Sequence, residues 1–414
     1  MGKAEREKGK QPFAAVILLG LSVCCMGLMA RPAFFLPETL YAFPGLECNV
    51  YYKNIIDSVV PDRYAYQSYC DRGRSELKRW CFTPDEADAG KSFRLVVNAW
   101  DDDGLVAAAT TTVRVARRPQ NGAQRVTLAL LGDSLTNCGY QDHLMKVMHA
   151  CGYSGYEPVG TRAFSPDGAR HDGYGGFRFK CFFDRYAVAQ DELTHVQDKA
   201  EREQLLALGE PVAVVDERQR EKLKSPLLRL EDGKKAFDTA PWLKRINGGI
   251  PPDLILIELG LNDCYCFRDS WAEIPARIRR EVIANAGILL GKLRAAMPKA
   301  TYFICTVPCG CSQDGFAMNE GATYNEVQCR KLCFSLNREL EAFVRAQNDP
   351  KVILLPIAQA IDPFDGYIHG SCPTHARSET KTVRDLNAVH PSKVGGMQLG
   401  DAMAAGIVAT LEGR

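Results

Sequence analysis

Between residues 35 and 118, hydrophobic positions fall in short alternating runs at 49–52, 80–83, 93–100 and 110–115. They are rich in β-branched and aromatic residues, and turn signals such as Asp101-Asp102-Asp103-Gly104 separate them. This pattern predicts a small all-β sandwich (Ig-like) over 31–118. Arg117-Arg118-Pro119-Gln120-Asn121-Gly122 breaks it, which predicts a linker at 119–124. Beyond it, apolar strand-like runs recur at 126–131, 254–259, 302–307 and 352–357. They alternate with helical periodicity at 277–297, 325–348 and 397–411. Strands alternating with helices predict a three-layer α/β/α sandwich with a mainly parallel sheet over 125–414.

Between 184 and 243 the alternation gives way to a charged, partly helical stretch carrying Glu201, Arg202, Glu203, Glu217, Arg218, Arg220, Glu221 and Lys222. It is expected to be a solvated insertion, with a lid over the site as the sharper alternative.

Composition changes the picture mainly at the N-terminus. Lys3, Arg6, Lys8 and Lys10 precede an uncharged apolar stretch of 18 residues at 13–30, which Arg31-Pro32 ends. Residues 1–30 therefore read as a secretory signal peptide, or as an uncleaved signal anchor at the bottom of the length that spans a bilayer. A lipoprotein cysteine at Cys24 or Cys25 fits less well, because Val23 or Cys24 precedes it instead of a small Gly or Ala. The expected location is secreted, periplasmic or cell-surface, with the membrane touched only through such an anchor. With 51 basic and 50 acidic side chains, net charge +1, there is no global field that would favour nucleic acid. Sixteen cysteines fit an oxidising compartment and predict some disulfides beside several buried thiols. No paired Cys-x-x-Cys or His-x-x-x-His completes a metal set, so neither a metal nor a cofactor is expected.

The candidate chemistry sits at the ends of the predicted strands. Ser134, in Gly132-Asp133-Ser134-Leu135, directly follows the first run. A strand-to-helix turn there exposes its hydroxyl at the carboxyl edge of the sheet. Serine is a weak nucleophile until a base takes its proton. Of seven histidines, His390 lies beyond the last strand run, in Asn387-Ala388-Val389-His390-Pro391. Asn262 follows another strand in Gly260-Leu261-Asn262-Asp263, where its amide can donate to a developing oxyanion. A second donor is expected from the glycine loop Gly173-Tyr174-Gly175-Gly176-Phe177.

Together these pieces resemble the GDSL, or SGNH, hydrolase family, from about Arg125 to the C-terminus. Gly132–Leu135 matches its first block, Gly176 within 171–177 looks like its second, Gly260–Asp263 matches the third, and the stretch through His390 looks like the last. The resemblance implies Ser134 as nucleophile and His390 as base. It also implies an oxyanion hole of the Ser134 and Gly176 backbone N–H groups with the Asn262 amide. Where the family's last block reads Asp-x-x-His, this chain has Asn387. The group that orients His390 is left between Asn387 and Asp385, and a Ser–His dyad is a third arrangement. Asp133 is expected to support the loop.

The expected activity is that of a secreted serine esterase removing acetyl or other short acyl groups from carbohydrate, its partner being a small ester or an acylated glycan. The alternatives are a lipase, lysophospholipase or thioesterase on longer chains, and a non-catalytic cell-surface binder with a decayed hydrolase fold.

Overall fold

The computed structural model describes residues 32–209, 211–213, 220, 222–319 and 325–412. The apolar stretch at 13–30 lies outside them, as do Glu217, Arg218 and Glu221 of the insertion.

The apolar run after the linker forms the strand Val126–Gly132, buried along almost its whole length. It pairs in parallel with Leu254–Glu258 on one side. On the other side it pairs with Tyr156–Val159 over its first half and Arg170–Gly173 over its second. Leu254–Glu258 pairs in turn with Thr301–Cys305, and that strand with Val352–Leu355, all in parallel. Among the described residues, the antiparallel pair at this sheet's edge is Arg162–Ala163 against Arg170–Gly173. The first strand of this sheet in chain order thus sits inside it, with the next strands, Tyr156–Val159 and Arg170–Gly173, on one side and the later Leu254–Glu258 on the other. That makes its carboxyl end a topological switch point, where open α/β sheets leave a crevice.

Helices cover both faces. Tyr140–Ala150 packs against Lys393–Leu411, and the Ile274–Arg277, Ile278–Ile283 and Ala284–Ala296 segments pack with Glu326–Gln347. Lys393–Leu411 is long and apolar enough to cross a membrane by composition, yet most of it is buried here. It begins four residues before the expected Met397, with Ser392 Oγ accepting from Gly395 N at 3.2 Å. Its glycines were the obstacle to reading the start, and they are required by close packing. A Cβ at Gly395 would meet the Gly366 carbonyl oxygen at 1.9 Å.

The N-terminal β region holds two sheets. One orders Thr39–Ala42, Gly104–Val115, Ser92–Asp101 and Ala65–Tyr69; the other orders Cys48–Tyr51, Arg79–Phe82 and Arg74–Ser75. Between them lies a core of Leu40, Val50, Trp80, Leu95, Val97 and Val113. The region is not a separate body, since Pro32–Arg414 forms one compact unit. Buried Asn54 donates to the carbonyls of Ala358 at 3.0 Å and Ile361 at 2.7 Å, and a Cβ at Gly406 of the last helix would touch Tyr41 at 3.3 Å. Tyr51 and Tyr52 are buried here.

All fourteen cysteines from Cys48 to Cys372 are free thiols, where the sequence predicts some disulfides. Most lie in the core, where cysteine packs as a small apolar side chain.

Candidate active site

Ser134 sits half-buried in the turn that ends Val126–Gly132. The turn is tight because Gly132 lacks a side chain; a Cβ there would lie 1.8 Å from Thr136 Oγ1. Asp133 braces it, accepting from Leu135 N at 2.8 Å, and Gly139 at φ +83° ends it before the helix Tyr140–Ala150.

The glycine loop continues from Arg170–Gly173, held by Tyr174 N donating to the Gly132 carbonyl at 3.1 Å. Gly176, at φ +78°, is exposed, and a Cβ on it would meet nothing within 4 Å. Asp172 supports this loop from beneath. It is buried and accepts from Tyr174 Oη at 2.9 Å, from Trp242 Nε1 at 2.9 Å and from Thr161 Oγ1.

Asn262 joins these two loops. It lies in the short helix Leu261–Cys264, which Gly260 opens at φ +123°. Its Nδ2 donates to Asp133 Oδ2 at 2.9 Å and to the Phe177 carbonyl at 3.2 Å. The predicted nucleophile turn, glycine loop and amide are therefore brought together at the switch point.

His390 arrives by a different route. Asn387 Oδ1 accepts from Val389 N at 3.2 Å, from His390 N at 3.0 Å and is 2.9 Å from His390 Nδ1. Two backbone donors on this atom identify it as the amide oxygen, so Nδ1 carries the proton and Nε2 is left as acceptor. Burial holds the His390 pKa below the ordinary imidazole value, which favours the neutral ring with Nε2 open to accept a proton. The loop is clamped to the sheet edge by Cys311 N donating to the Ala388 carbonyl at 2.9 Å, and by the Cys311 thiol to the Asn387 carbonyl at 3.0 Å. Asp385 is turned elsewhere: it accepts from Ser312 N at 3.0 Å and from Ser312 Oγ. Among the described residues, Ser134 Oγ makes no hydrogen bond, so the Ser134–His390 contact is not formed in this structure.

Three buried or nearly buried carboxyls surround the turn, and burial is the first cause of each upward shift. Asp133 is pushed well above the usual carboxylate range, while Glu258 and Asp263 are both pushed up to about 7. Glu258 was missed in the sequence, where it reads only as the end of an apolar run. His171, in the glycine block, is a structural residue: its Nδ1 accepts from Gly173 N at 3.0 Å, and burial lowers its pKa to about 4. Of the charged insertion, Lys222 reaches the site's rim, its Nζ 3.5 Å from where a Gly175 Cβ would stand. Among the described residues, no three His, Cys, Asp or Glu side chains converge as a metal site.

No family model matches the chain, and no curated protein does. Solved structures do overlap with it. One is a carbohydrate esterase family 3 protein from Talaromyces cellulolyticus, at 14% identity and TM-score 0.39, covering 70% of this chain and 99% of that one. A family 3 carbohydrate esterase of Clostridium thermocellum overlaps at 13% identity and TM-score 0.36, covering 70% of this chain and 100% of the other. A carbohydrate acetylesterase from Sinorhizobium meliloti does so at 15% identity and TM-score 0.34, covering 69% and 99%. At such scores the overlap is loose, and the chemistry of the site rests on this chain's own geometry.

Proposed function

We propose that this protein is a serine esterase. The observation that carries it is the Asn262 amide tying the Ser134 turn to the Gly176 loop at the sheet's switch point; His390, with Nε2 left as acceptor by Asn387, is the base we assign to it. Ser134 Oγ attacks the ester carbonyl while His390 Nε2 takes its proton. Negative charge gathers on the carbonyl oxygen; the N–H groups of Ser134 and Gly176 are the donors we assign to it, joined by the Asn262 amide once it exchanges its longer bond to the Phe177 carbonyl for the oxyanion. Collapse expels the alcohol, which recovers the proton from His390, and water then cleaves the acyl-serine by the same route. Asn387 orients the ring but stabilises the imidazolium less than a carboxylate would.

Short acyl groups on carbohydrate are the substrates we favour. The helix Lys199–Leu208 of the insertion is solvated, with no buried residue, and so offers no core of its own for a long acyl chain. Export of the chain is part of this reading and rests on the 13–30 segment alone; fourteen free thiols lend it no support. A second reading, a non-catalytic binder, is favoured by two observations. Ser134 Oγ lacks a partner, and both Asn262 N–H bonds are already engaged. Hydrolysis of p-nitrophenyl acetate against p-nitrophenyl palmitate, with Ser134→Ala as control, separates these. Acetate turnover lost in the variant supports the esterase, palmitate preference favours the long-chain alternative, and no Ser134-dependent turnover of either ester counts for the binder.

A further inference from the structure

Beneath the Ser134 turn lies an acid that the ester chemistry does not use. Glu258 ends the strand Leu254–Glu258 and is 1% exposed. Its Oε2 accepts from Thr136 Oγ1 at 2.6 Å and from Tyr140 Oη. Thr136 belongs to the turn that carries Ser134, and Tyr140 is the first residue of the helix that follows. Glu258 itself sits four residues before Asn262 and pairs in register with Gly132. One carboxyl thus ties the segment that follows Ser134, at Thr136 and Tyr140, to the strand that leads to Asn262.

Its other oxygen is unmatched. Among the described residues, Oε1 is buried with no hydrogen-bond partner. The titratable groups whose charges reach Glu258 are Asp133, Cys138 and Tyr140 from the turn and its helix, and Cys305 from the neighbouring strand. Each is an acid, so none offers a positive charge. A neutral carboxyl leaves one polar atom unsatisfied there, whereas an ionised one leaves a buried charge without a counterion, which costs far more.

We infer that Glu258 is a positioning residue that, as the neutral acid, locks the Ser134 turn against the Asn262 strand, and that its ionisation opens the turn to water and misplaces the nucleophile. The inference rests on the esterase reading for its effect on turnover, but the clamp itself is a property of the fold. Its midpoint follows from burial, which raises the Glu258 pKa to about 7 against the opposing pull of the Thr136 and Tyr140 hydroxyls. Activity is therefore lost on the alkaline side near neutrality, opposite to the acid-side loss caused by protonating His390.

The test is the pH dependence of kcat and KM from pH 5 to 9 for the full chain, Glu258→Gln, and Tyr140→Phe. Wild-type kcat is expected to fall about tenfold from pH 6 to pH 8, with KM steady. Glu258→Gln, which cannot ionise, is expected to lose that alkaline limb and keep the acid one. Tyr140→Phe removes a donor that stabilises the anion, so its limb moves to higher pH. An identical alkaline limb in Glu258→Gln, or none in the wild type, overturns the proposal. A readout independent of catalysis is the thermal midpoint between pH 5 and 8. It is expected to fall in the wild type and to fall markedly less in Glu258→Gln. Should Ser134→Ala show that no ester is turned over, this difference still tests the clamp, and equal falls in both proteins overturn it. If Glu258→Gln does not fold, the upward shift of the thermal profile in Tyr140→Phe decides the matter, and an unshifted profile overturns the inference.

Discussion

His390 is oriented by an amide, and its pH behaviour follows from that. Asn387 Oδ1 receives the Nδ1 proton at 2.9 Å but carries no charge to balance the imidazolium, and burial lowers the pKa further. The acid limb of kcat/KM is therefore expected below the ordinary imidazole value. Replacing Asn387 by Asp places a carboxylate at the same atom, so Asn387→Asp should move that limb upward by roughly one pH unit. Asp385→Asn should leave the limb where it is, since Asp385 serves Ser312; pH–rate profiles of the two variants check both statements. The Ser134 turn and Asn262 stood out in the sequence because each follows an apolar run that forms a strand of the parallel sheet, whereas His390 is reached only after the hairpin of His369–Pro373 and Lys381–Asp385, which carries no such signal. Which of Asn387 and Asp385 faces the ring was not legible. It depends on a three-residue turn whose N–H groups fold back onto Asn387, a geometry that periodicity does not encode.

At the scale of elements, tightness at the switch point decides whether the turn forms. Gly132 pairs with Gly173 on one side and Glu258 on the other, and Thr136 fills the space above it. Gly132→Ala must push Thr136 off Glu258, an overpacking expected to cost roughly 1–3 kcal/mol and measurable by denaturant titration. Its activity should fall by more than the lost folded fraction, because the displaced residue belongs to the Ser134 turn. The central strands were plain in the sequence as continuous apolar runs, the mark of strands covered on both faces. Arg170–Gly173 carries no strand signal in the sequence, where 171–173 read only as the start of the glycine block. Its four polar or small residues give no apolar signal, and it becomes a strand because Leu131 and Gly132 offer it an edge.

For the whole molecule, the β region and the α/β layers make one body. The sequence showed two grammars on either side of 119–124, and periodicity says what each segment is without saying what covers it. What it could not show is that Lys393–Leu411, apolar nearly all round, needs the sheet on one side and the strand Thr39–Ala42 on another. Asn54 is a buried bolt between the two parts. Asn54→Ala leaves two carbonyls without their donor and should lower stability by about 1–3 kcal/mol. It should do so as a shift of a single unfolding transition, seen alike by far-ultraviolet circular dichroism and tryptophan fluorescence. Two separated transitions would mean that the β region folds on its own.

The central claim is that Ser134 is activated by His390, and covalent capture tests it most directly. The protein would be treated with a fluorophosphonate, which phosphonylates activated serines, and its peptides mapped by mass spectrometry alongside Ser134→Ala and His390→Ala. The expected result is one adduct, on Ser134, absent from Ser134→Ala and slowed at least about a thousandfold in His390→Ala. No adduct on Ser134, or one that forms equally fast without His390, would contradict the account.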